Sequence, residues 1–563
     1  MSDKKDIIES KSNEDTTITS NKADKNNIVD TEITADALVP EPVQVPVTTE
    51  SLTCNEDEVC MVMVGSVDAG KSTFIGACVS GETDDGSGKL RNLIAKHAHE
   101  RDVGKTSDIS VRTLQKYPNR ELVMVDLCGH EKYLKTTITG ITGHFPDYGV
   151  LIVAANRGIL KMTKEHLSLL VHLKIPTIIL VTREDIAPKA MYDRTIKTIK
   201  RLLKKPRNVE IVNKSMRDEL YDRKEILEAR LNEALIGYDD EKKADIIKNV
   251  IDYTNYEIEM NNLDLPKDTK KQIRDVMLKL CSEIEKEKEN DINSIAKRLH
   301  DDRYLIPVIT ISNKSGYFLN TAKDLLFKTS SRKDSWKETD DSILHIDSTF
   351  SPNGVGLVVS GTLRGKTIKP GDTVYMGPHG KSFVECTVRS IHGNSRQLKT
   401  ELKNKRRGCL AIKVKKVDLK RNDVHKGWVI IKDKELENNA CYEFKAKVHI
   451  LQHPTTIRTG ATFVINSAAV KETARIKLPP DTHLKLGDHE EATFRFMRCP
   501  EFMRPGDPIV FREGNTKGTG TVLSVVPLKS DSMGETNIKK SGGGHHKYSR
   551  KKVQTKKGVR NMI

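Results

Sequence analysis

The chain has 563 residues, and its 94 Lys and Arg outweigh 78 Asp and Glu to give a formal net charge of +16. At 37% hydrophobic residues it can build packed cores over about three or four domains, but no apolar run approaches the ~18 residues of a membrane-spanning helix, so a membrane partner of that kind is excluded. Its nine Cys show no CxxC pairs or metal-ligand spacing, which points to a reducing, intracellular compartment, and the basic balance points to an anionic partner.

Residues 1–58 hold five Lys against fourteen acidic residues, a local charge of −9 that leaves +25 on the rest of the chain. With no aromatic residue and no helical or strand period, residues 1–57 are expected to be a disordered acidic leader. The opening MSDKKDIIESKSNED has no apolar core, so a secretory signal is not expected. Order is expected from Glu58 through Val64, an apolar run typical of a strand buried on both faces.

Directly after that strand stands Gly65-Ser66-Val67-Asp68-Ala69-Gly70-Lys71-Ser72-Thr73, a full match to GxxxxGK(S/T), followed by the helix-compatible Phe74 to Cys78. The glycines let the N–H groups of residues 66–72 turn around a phosphate, Lys71 can reach the β- and γ-oxygens, and the Ser72 hydroxyl can sit on Mg²⁺. The next helix would aim its positive end at the same anion. Between this loop and the next strand, the polar, Gly-rich segment 81–110 suits a switch that orders around γ-phosphate and Mg²⁺. Thr106 is the candidate switch ligand, with Ser107 and Thr113 as rivals.

A second buried-strand pattern, Glu121 to Leu127, ends in Asp126-Leu127-Cys128-Gly129-His130. Asp126 would join the Mg²⁺ shell through a water, and the Gly129 N–H would sense the γ-phosphate; His130 lies where GTPases of the translation type place the residue that orients the attacking water. Strands are expected over Tyr148 to Ala155 and Ile175 to Val181. The latter runs into Thr182-Arg183-Glu184-Asp185, where a guanine-specific GTPase carries (N/T)KxD. The Asp185 carboxylate can accept from guanine N1–H and the 2-amino group together, a donor pair adenine lacks, with Thr182 as strut. Arg183 stands in place of the usual Lys, a non-neutral exchange because its planar fork is longer. After a strand over Leu305 to Thr310, the loop with Ser312, Asn313 and Lys314 would turn its N–H groups toward guanine O6.

These runs resemble the translational GTPases of the elongation factor Tu and one-alpha type, and more closely the GTP-binding-protein-one branch. The resemblance is carried by DLCGHEKYLK at Asp126 to Lys135, Thr136-Thr137, Gly140 to His144 and Met162 to Leu167, and it covers roughly residues 59–205 and 305–527. It implies a GTPase domain followed by two β-barrels, with hydrolysis stimulated by the ribosome. It also implies a cleft between barrels and GTPase domain that takes the acceptor end of an aminoacylated tRNA through backbone and shape. Val67 matches the family's apolar neighbour of the catalytic His. Cys128 replaces the usual Pro, and Lys105 replaces the apolar residue before the switch Thr.

From about residue 208 to 304 the chain turns rich in Glu, Lys and Asp, with no strand signal. Met216, Leu220, Leu227 and Leu231, and then Ile273, Met277, Leu280 and Ile284, recur at helical spacing. A charged two- or three-helix insertion is expected, either a plain appendage or a docking arm. From Ser342 short alternating runs between Gly, Pro and Asn turns predict barrels, among them Gly354 to Gly361, Lys445 to Leu451, Phe494 to Phe496 and Ile509 to Gly514. The tail from Ser541 gathers Lys and Arg and is expected to be disordered, either solubilising or touching phosphates; a metal role for His545-His546 and a nuclear-import role are weaker readings of it.

The expected architecture is an α/β P-loop GTPase domain at 58–340, with a mostly parallel sheet and the insertion, then all-β barrels at 341–436 and 437–528 and a basic tail at 529–563. The expected chemistry is hydrolysis of GTP with Mg²⁺ by direct water attack, with catalytic His130 and Lys71. Because no Arg finger is identifiable in cis, slow intrinsic turnover is expected. Expected partners are the ribosome and tRNA or other RNA, and an exchange or RNA-surveillance partner; a cytoplasmic monomer is expected. The alternatives are a GTPase subunit of a sulfate-activating enzyme and a hydrolysis-deficient adaptor, the latter motivated by Arg183, Cys128 and Lys105.

Overall fold

The computed structural model describes residues 57–529, apart from residues 96, 98–99, 102–105, 118–119, 205, 253–264, 333–340, 394–396 and 416. The acidic leader and the basic tail, their boundary residues aside, and Lys105 lie outside the described residues.

The first apolar run forms β1 (Asp57–Gly65). Its side chains alternate between two layers, Val59, Met61 and Met63 joining one core cluster and Val62 and Val64 the other. Both faces being covered explains why the run is apolar throughout. With β2 (Ser110–Tyr117), β3 (Arg120–Asp126), β4 (Tyr148–Ala154), β5 (Thr177–Thr182), β6 (Asn208–Ile211) and β7 (Leu305–Thr310) it makes a seven-stranded sheet in the order β2-β3-β1-β4-β5-β7-β6. β2 runs antiparallel to β3, and the remaining neighbours are parallel. At its end, Gly65 tolerates no side chain: a Cβ there would lie 2.2 Å from the Ile152 carbonyl oxygen.

Two strands depart from expectation. β2 follows the segment expected to be a switch, and its largely polar run Ser-Val-Arg-Thr-Leu-Gln shows no clear period of two. β6 opens the stretch in which no strand is expected, and pairs with β7 from Asn208↔Leu305 to Ile211↔Val308. Four residues at a sheet edge are too few to show a period.

The insertion is also more than an appendage. Five helices are described in it, Met216–Tyr221, Lys224–Ala234, Asp240–Asp252, Lys267–Glu287 and Glu289–Asp301. The eight apolar residues read from periodicity are all buried, and they belong to the same cluster as Met61, Phe74 and Ile75 beside the P-loop helix Lys71–Ser80. At about 1.5–3 kcal/mol for each buried aliphatic side chain, this packing outweighs the weak intrinsic preference of short helices.

The rest is all-β. Strands β8 (Ser342–Phe350), β9 (Val358–Gly365), β10 (Thr373–His379), β11 (Ser382–His392), β12 (Leu398–Lys399), β13 (Arg407–Val414) and β14 (Val429–Ile431) form a closed antiparallel barrel. It runs β10-β14-β8-β9-β13-β11, closed by β10 on β11, with β12 added to β11. A second barrel follows from β15 (Ala440–Gln452), β16 (Thr462–Ser467), β17 (Val470–Lys477), β18 (His489–Phe496), β19 (Glu501–Phe502), β20 (Pro508–Glu513) and β21 (Thr516–Pro527). Its ring is β18-β17-β16-β20-β21-β15, closed by β15 on β18, with β19 on β15. Along β15, Phe444, Ala446, Val448 and Ile450 are buried while Lys445 and Lys447 are exposed, the period-two alternation of a barrel wall.

The first barrel meets β1 through Glu58: Arg407 N donates to its Oε1 at 3.4 Å and an Arg406 guanidinium nitrogen lies 3.6 Å from its Oε2. The second meets the helix Leu134–Gly143, whose Thr142 hydroxyl donates to the Ala468 carbonyl at 2.9 Å and whose Thr139 hydroxyl reaches Asn466 Oδ1 at 3.3 Å.

Candidate functional site

The motif loops leave the carboxyl ends of β1, β3, β5 and β7, which the parallel register brings level: Met63 opposes Asp126, Ala154 opposes Thr182, and Val181 opposes Thr310. Ligands of open parallel sheets bind at that edge.

Gly65 to Gly70 wraps into the helix Lys71–Ser80. Lys71 is buried, and its ammonium donates back to the carbonyls of Ser66 at 2.8 Å and Gly65 at 3.2 Å. Asp126 is buried below it. The Ser72 hydroxyl donates to Asp126 Oδ2 at 2.6 Å, the Thr106 hydroxyl reaches the same oxygen at 3.4 Å, and the two hydroxyls are 3.2 Å apart. Asp126 Oδ1 is buried with no hydrogen-bond partner among the described residues. Burial pulls Lys71 below the ordinary lysine range and pushes Asp126 above the ordinary carboxylate range, and each is drawn back by the other's charge. Three oxygen donors gathered on one point, with an orphaned carboxylate oxygen, fit a small hard cation such as Mg²⁺. The rivals to Thr106 turn elsewhere: the Ser107 hydroxyl donates to Glu100 Oε1 at 2.8 Å, and Thr113 sits in β2 opposite Val123.

Gly129 lies against the phosphate loop. A Cβ there would come within 2.6 Å of Lys71 Nζ and 2.7 Å of the Val67 nitrogen, so only glycine lets this turn approach so closely. His130 is exposed, with Nδ1 accepting from Lys132 N–H at 3.1 Å. His130, Val67, Asp68, Gly70 and Thr73 line one pocket with Lys71, Ser72, Thr106, Gly129 and Arg183. The buried Cys128 thiol, pushed up to about 12 chiefly by burial, faces the Asp108 carbonyl at 3.8 Å.

The second group of motif residues forms the adjoining wall. The Thr182 hydroxyl donates to the Ala69 carbonyl at 2.7 Å, and a Cβ on Gly70 would stand 3.2 Å from Asn313 Nδ2. Asp185 is buried in the turn Glu184–Ile186, reached through Arg183 at a left-handed φ of 58°. Ser312 is buried; its hydroxyl accepts from Lys314 N–H at 3.3 Å and Ser315 N–H at 3.0 Å, and its carbonyl from Gly316 N–H at 3.0 Å. These amides, expected to face a ligand, are therefore turned inward to Ser312 in this conformation.

Three residues enter the site in roles that spacing does not announce, His166 and Glu184 from inside quoted runs and Arg91 from outside any. His166, fully buried on the helix Lys161–His172, accepts the Gly65 N–H on Nδ1 at 3.1 Å. Burial, with Lys71 adding to it, lowers the imidazole to about 3, so it is a neutral acceptor that anchors the start of the phosphate loop. Arg91, on the helix Lys89–Ile94, lines the phosphate pocket with its Nε buried and without a hydrogen-bond partner among the described residues. Glu184, next to Asp185, is pushed up to about 8 by burial first and the Asp185 charge second; its Oε2 accepts from Met216 N–H at 3.3 Å. No spacing rule finds them: Arg91 is a surface-like residue in a polar segment, and His166 follows the apolar face of its helix.

The family described as the elongation factor Tu GTP binding domain matches residues 56–332. Over 496 residues the chain is 30% identical to GTP-binding protein 1 of Xenopus laevis, covering 83% of this chain and 64% of that protein. Over 491 residues it is 28% identical to GTP-binding protein 2 of Mus musculus, covering 83% and 69%. In fold it is similar to translation elongation factor SelB from Methanococcus maripaludis, solved in complex with the GTP analogue GppNHp, with a TM-score of 0.52, 16% identity, and 85% of this chain and 81% of that one covered.

Proposed function

We propose that this chain, similar over residues 56–332 to the elongation factor Tu GTP binding domain and across both barrels to GTP-binding proteins 1 and 2, is a translational GTPase that hydrolyses GTP on cytoplasmic ribosomes as a switch for tRNA delivery or ribosome rescue. The observation that carries the chemistry is the oxygen cluster of Ser72, Thr106 and Asp126 under the Lys71 ammonium. Ser72 and Thr106 would hold Mg²⁺ directly and Asp126 through a water. When bound, Mg²⁺ supplies positive charge against the β- and γ-phosphate oxygens.

The residues then divide the work. The N–H groups of residues 66–72 cradle the phosphates, and Lys71 turns its ammonium from the Ser66 carbonyl to the γ-phosphate. His130 swings from its contact with Lys132 to orient the attacking water, and Thr182, Arg183 and Asp185 hold guanine with Ser312, Asn313 and Lys314. The route from γ-phosphate to barrel is short. Gly129 touches the phosphate loop, the helix Leu134–Gly143 follows it, and Thr139 and Thr142 of that helix contact Asn466 and Ala468. Loss of the γ-phosphate removes what holds Gly129 in place, and the helix carries that change to the second barrel. Turnover of GTP by the full chain, alone and with ribosomes, tests this: slow turnover alone and acceleration by ribosomes are expected, and equal turnover in both would refute a ribosomal switch.

A further inference from the structure

Away from the nucleotide edge, the second barrel brings together Glu472 from β17, Cys499 from the β18–β19 turn and Glu501 from β19. Cys499 Sγ is 3.7 Å from Glu501 Oε1 and 4.0 Å from Glu472 Oε2, and one potential ligand atom from each of the three residues lies within 4.8 Å of the others. Zinc–thiolate bonds of about 2.3 Å and zinc–carboxylate bonds of about 2.0–2.2 Å at tetrahedral angles set sulfur and oxygen roughly 3.6 Å apart. The spacing is thus close to what a shared ion requires, before any side chain moves.

A second observation concerns Glu501 itself. It is only 4% exposed, and its Oε2 is buried with no hydrogen-bond partner among the described residues. Its backbone is held by pairing of β19 with β15, Glu501 opposite Cys441. A loop of the first barrel closes over it, since a Cβ on Gly427 would stand 3.0 Å from Oε2. Glu472 and Cys499 are half-buried and leave the cluster open to solvent on one side. Glu472 has a further partner, its Oε1 accepting the Thr473 N–H at 2.9 Å, but the thiol contact leaves Glu501 Oε2 unsatisfied, and burying a carboxylate so is costly.

We propose that Glu472, Cys499 and Glu501 form a binding site for a divalent transition-metal ion of the zinc class, completed by water, at the junction of the two barrels. One thiolate with two carboxylates favours Zn²⁺ over Mg²⁺ or Ca²⁺, which prefer all-oxygen shells. The site is independent of the nucleotide reading, and its test does not pass through hydrolysis.

The test is titration of chelator-treated full-length protein, held in excess Mg²⁺ and GDP, with Co²⁺ as spectroscopic probe and Zn²⁺ as competitor. One equivalent of Co²⁺ should give a thiolate-to-cobalt charge-transfer band that Zn²⁺ erases, and Zn²⁺ should raise the Tm. Cys499→Ser should abolish the band, and Glu501→Gln and Glu472→Gln should each weaken Zn²⁺ binding by about tenfold or more, the scale of losses seen around metal sites. Glu472 is half-buried, so its variant is the safeguard against misfolding. Absence of the band in the parent protein, or a band unchanged in Cys499→Ser, would overturn the site.

Discussion

Arg91 places a guanidinium in the wall of the phosphate pocket. An Arg that neutralises charge developing on the transferred phosphoryl group is worth orders of magnitude in turnover when supplied by a partner, and here a guanidinium already lines the pocket in cis. Arg91→Ala should therefore leave GTP affinity nearly unchanged and lower single-turnover hydrolysis by at least about tenfold; an unchanged rate would reduce Arg91 to a loop anchor. Glu184 gives a pH signature. Its carboxyl rises from the ordinary 4.5 to about 8 in the folded chain, so unfolding releases a proton between those values. Its contribution to stability is complete below about pH 4.5 and is lost as pH rises through about 8. Glu184→Gln, neutral at every pH, should flatten the fall of Tm across that window. Some fall remains in either protein, because Glu58 and Glu285, both raised to about 7 mainly by burial, have the same sign. A Tm profile parallel to that of the parent would show Glu184 to be ionised in the folded state.

At the scale of elements, the insertion is the clearest case of what a sequence can and cannot tell. The spacing of Met216, Leu220, Leu227 and Leu231 reveals a buried face, but periodicity says only that a face is covered, never by what. The insertion's own helices supply the cover, Met216, Leu220 and Leu227 facing Val250 and Met277, in a cluster continuous with the GTPase core. Likewise the residues of GxxxxGK(S/T) and DxxGH are legible because each motif is contiguous in the chain and follows an apolar strand. His166 and Arg91 reach the same pocket only through the packing of their helices, which leaves no local mark. β2 and β6 lack a strong period, one lying in a polar segment and the other being four residues long. Because the insertion shares the core, Ile284→Ala, at a fully buried position, should cost about 2–5 kcal/mol. It should also accelerate amide hydrogen exchange in β1 and β7 as well as in the helix Lys267–Glu287. Acceleration confined to the insertion helices would mean that it unfolds as a separate unit.

For the whole molecule, the GTPase domain touches the two barrels in different ways. The first barrel meets it at the buried Glu58, which accepts the Arg407 backbone N–H and lies 3.6 Å from the Arg406 guanidinium. The second barrel meets it through the threonines of the helix that follows Gly129, so a change at the γ-phosphate has its shortest path there. The net charge of +16 joins an acidic leader to a strongly basic remainder, a balance consistent with the RNA contact proposed above. If His130 turns ribosome contact into hydrolysis, GTP turnover and GTP affinity measured for the parent chain and His130→Ala with saturating ribosomes should show near-equal affinity and loss of most of the ribosome-stimulated rate in the variant; a variant stimulated as strongly as the parent would exclude that role for His130.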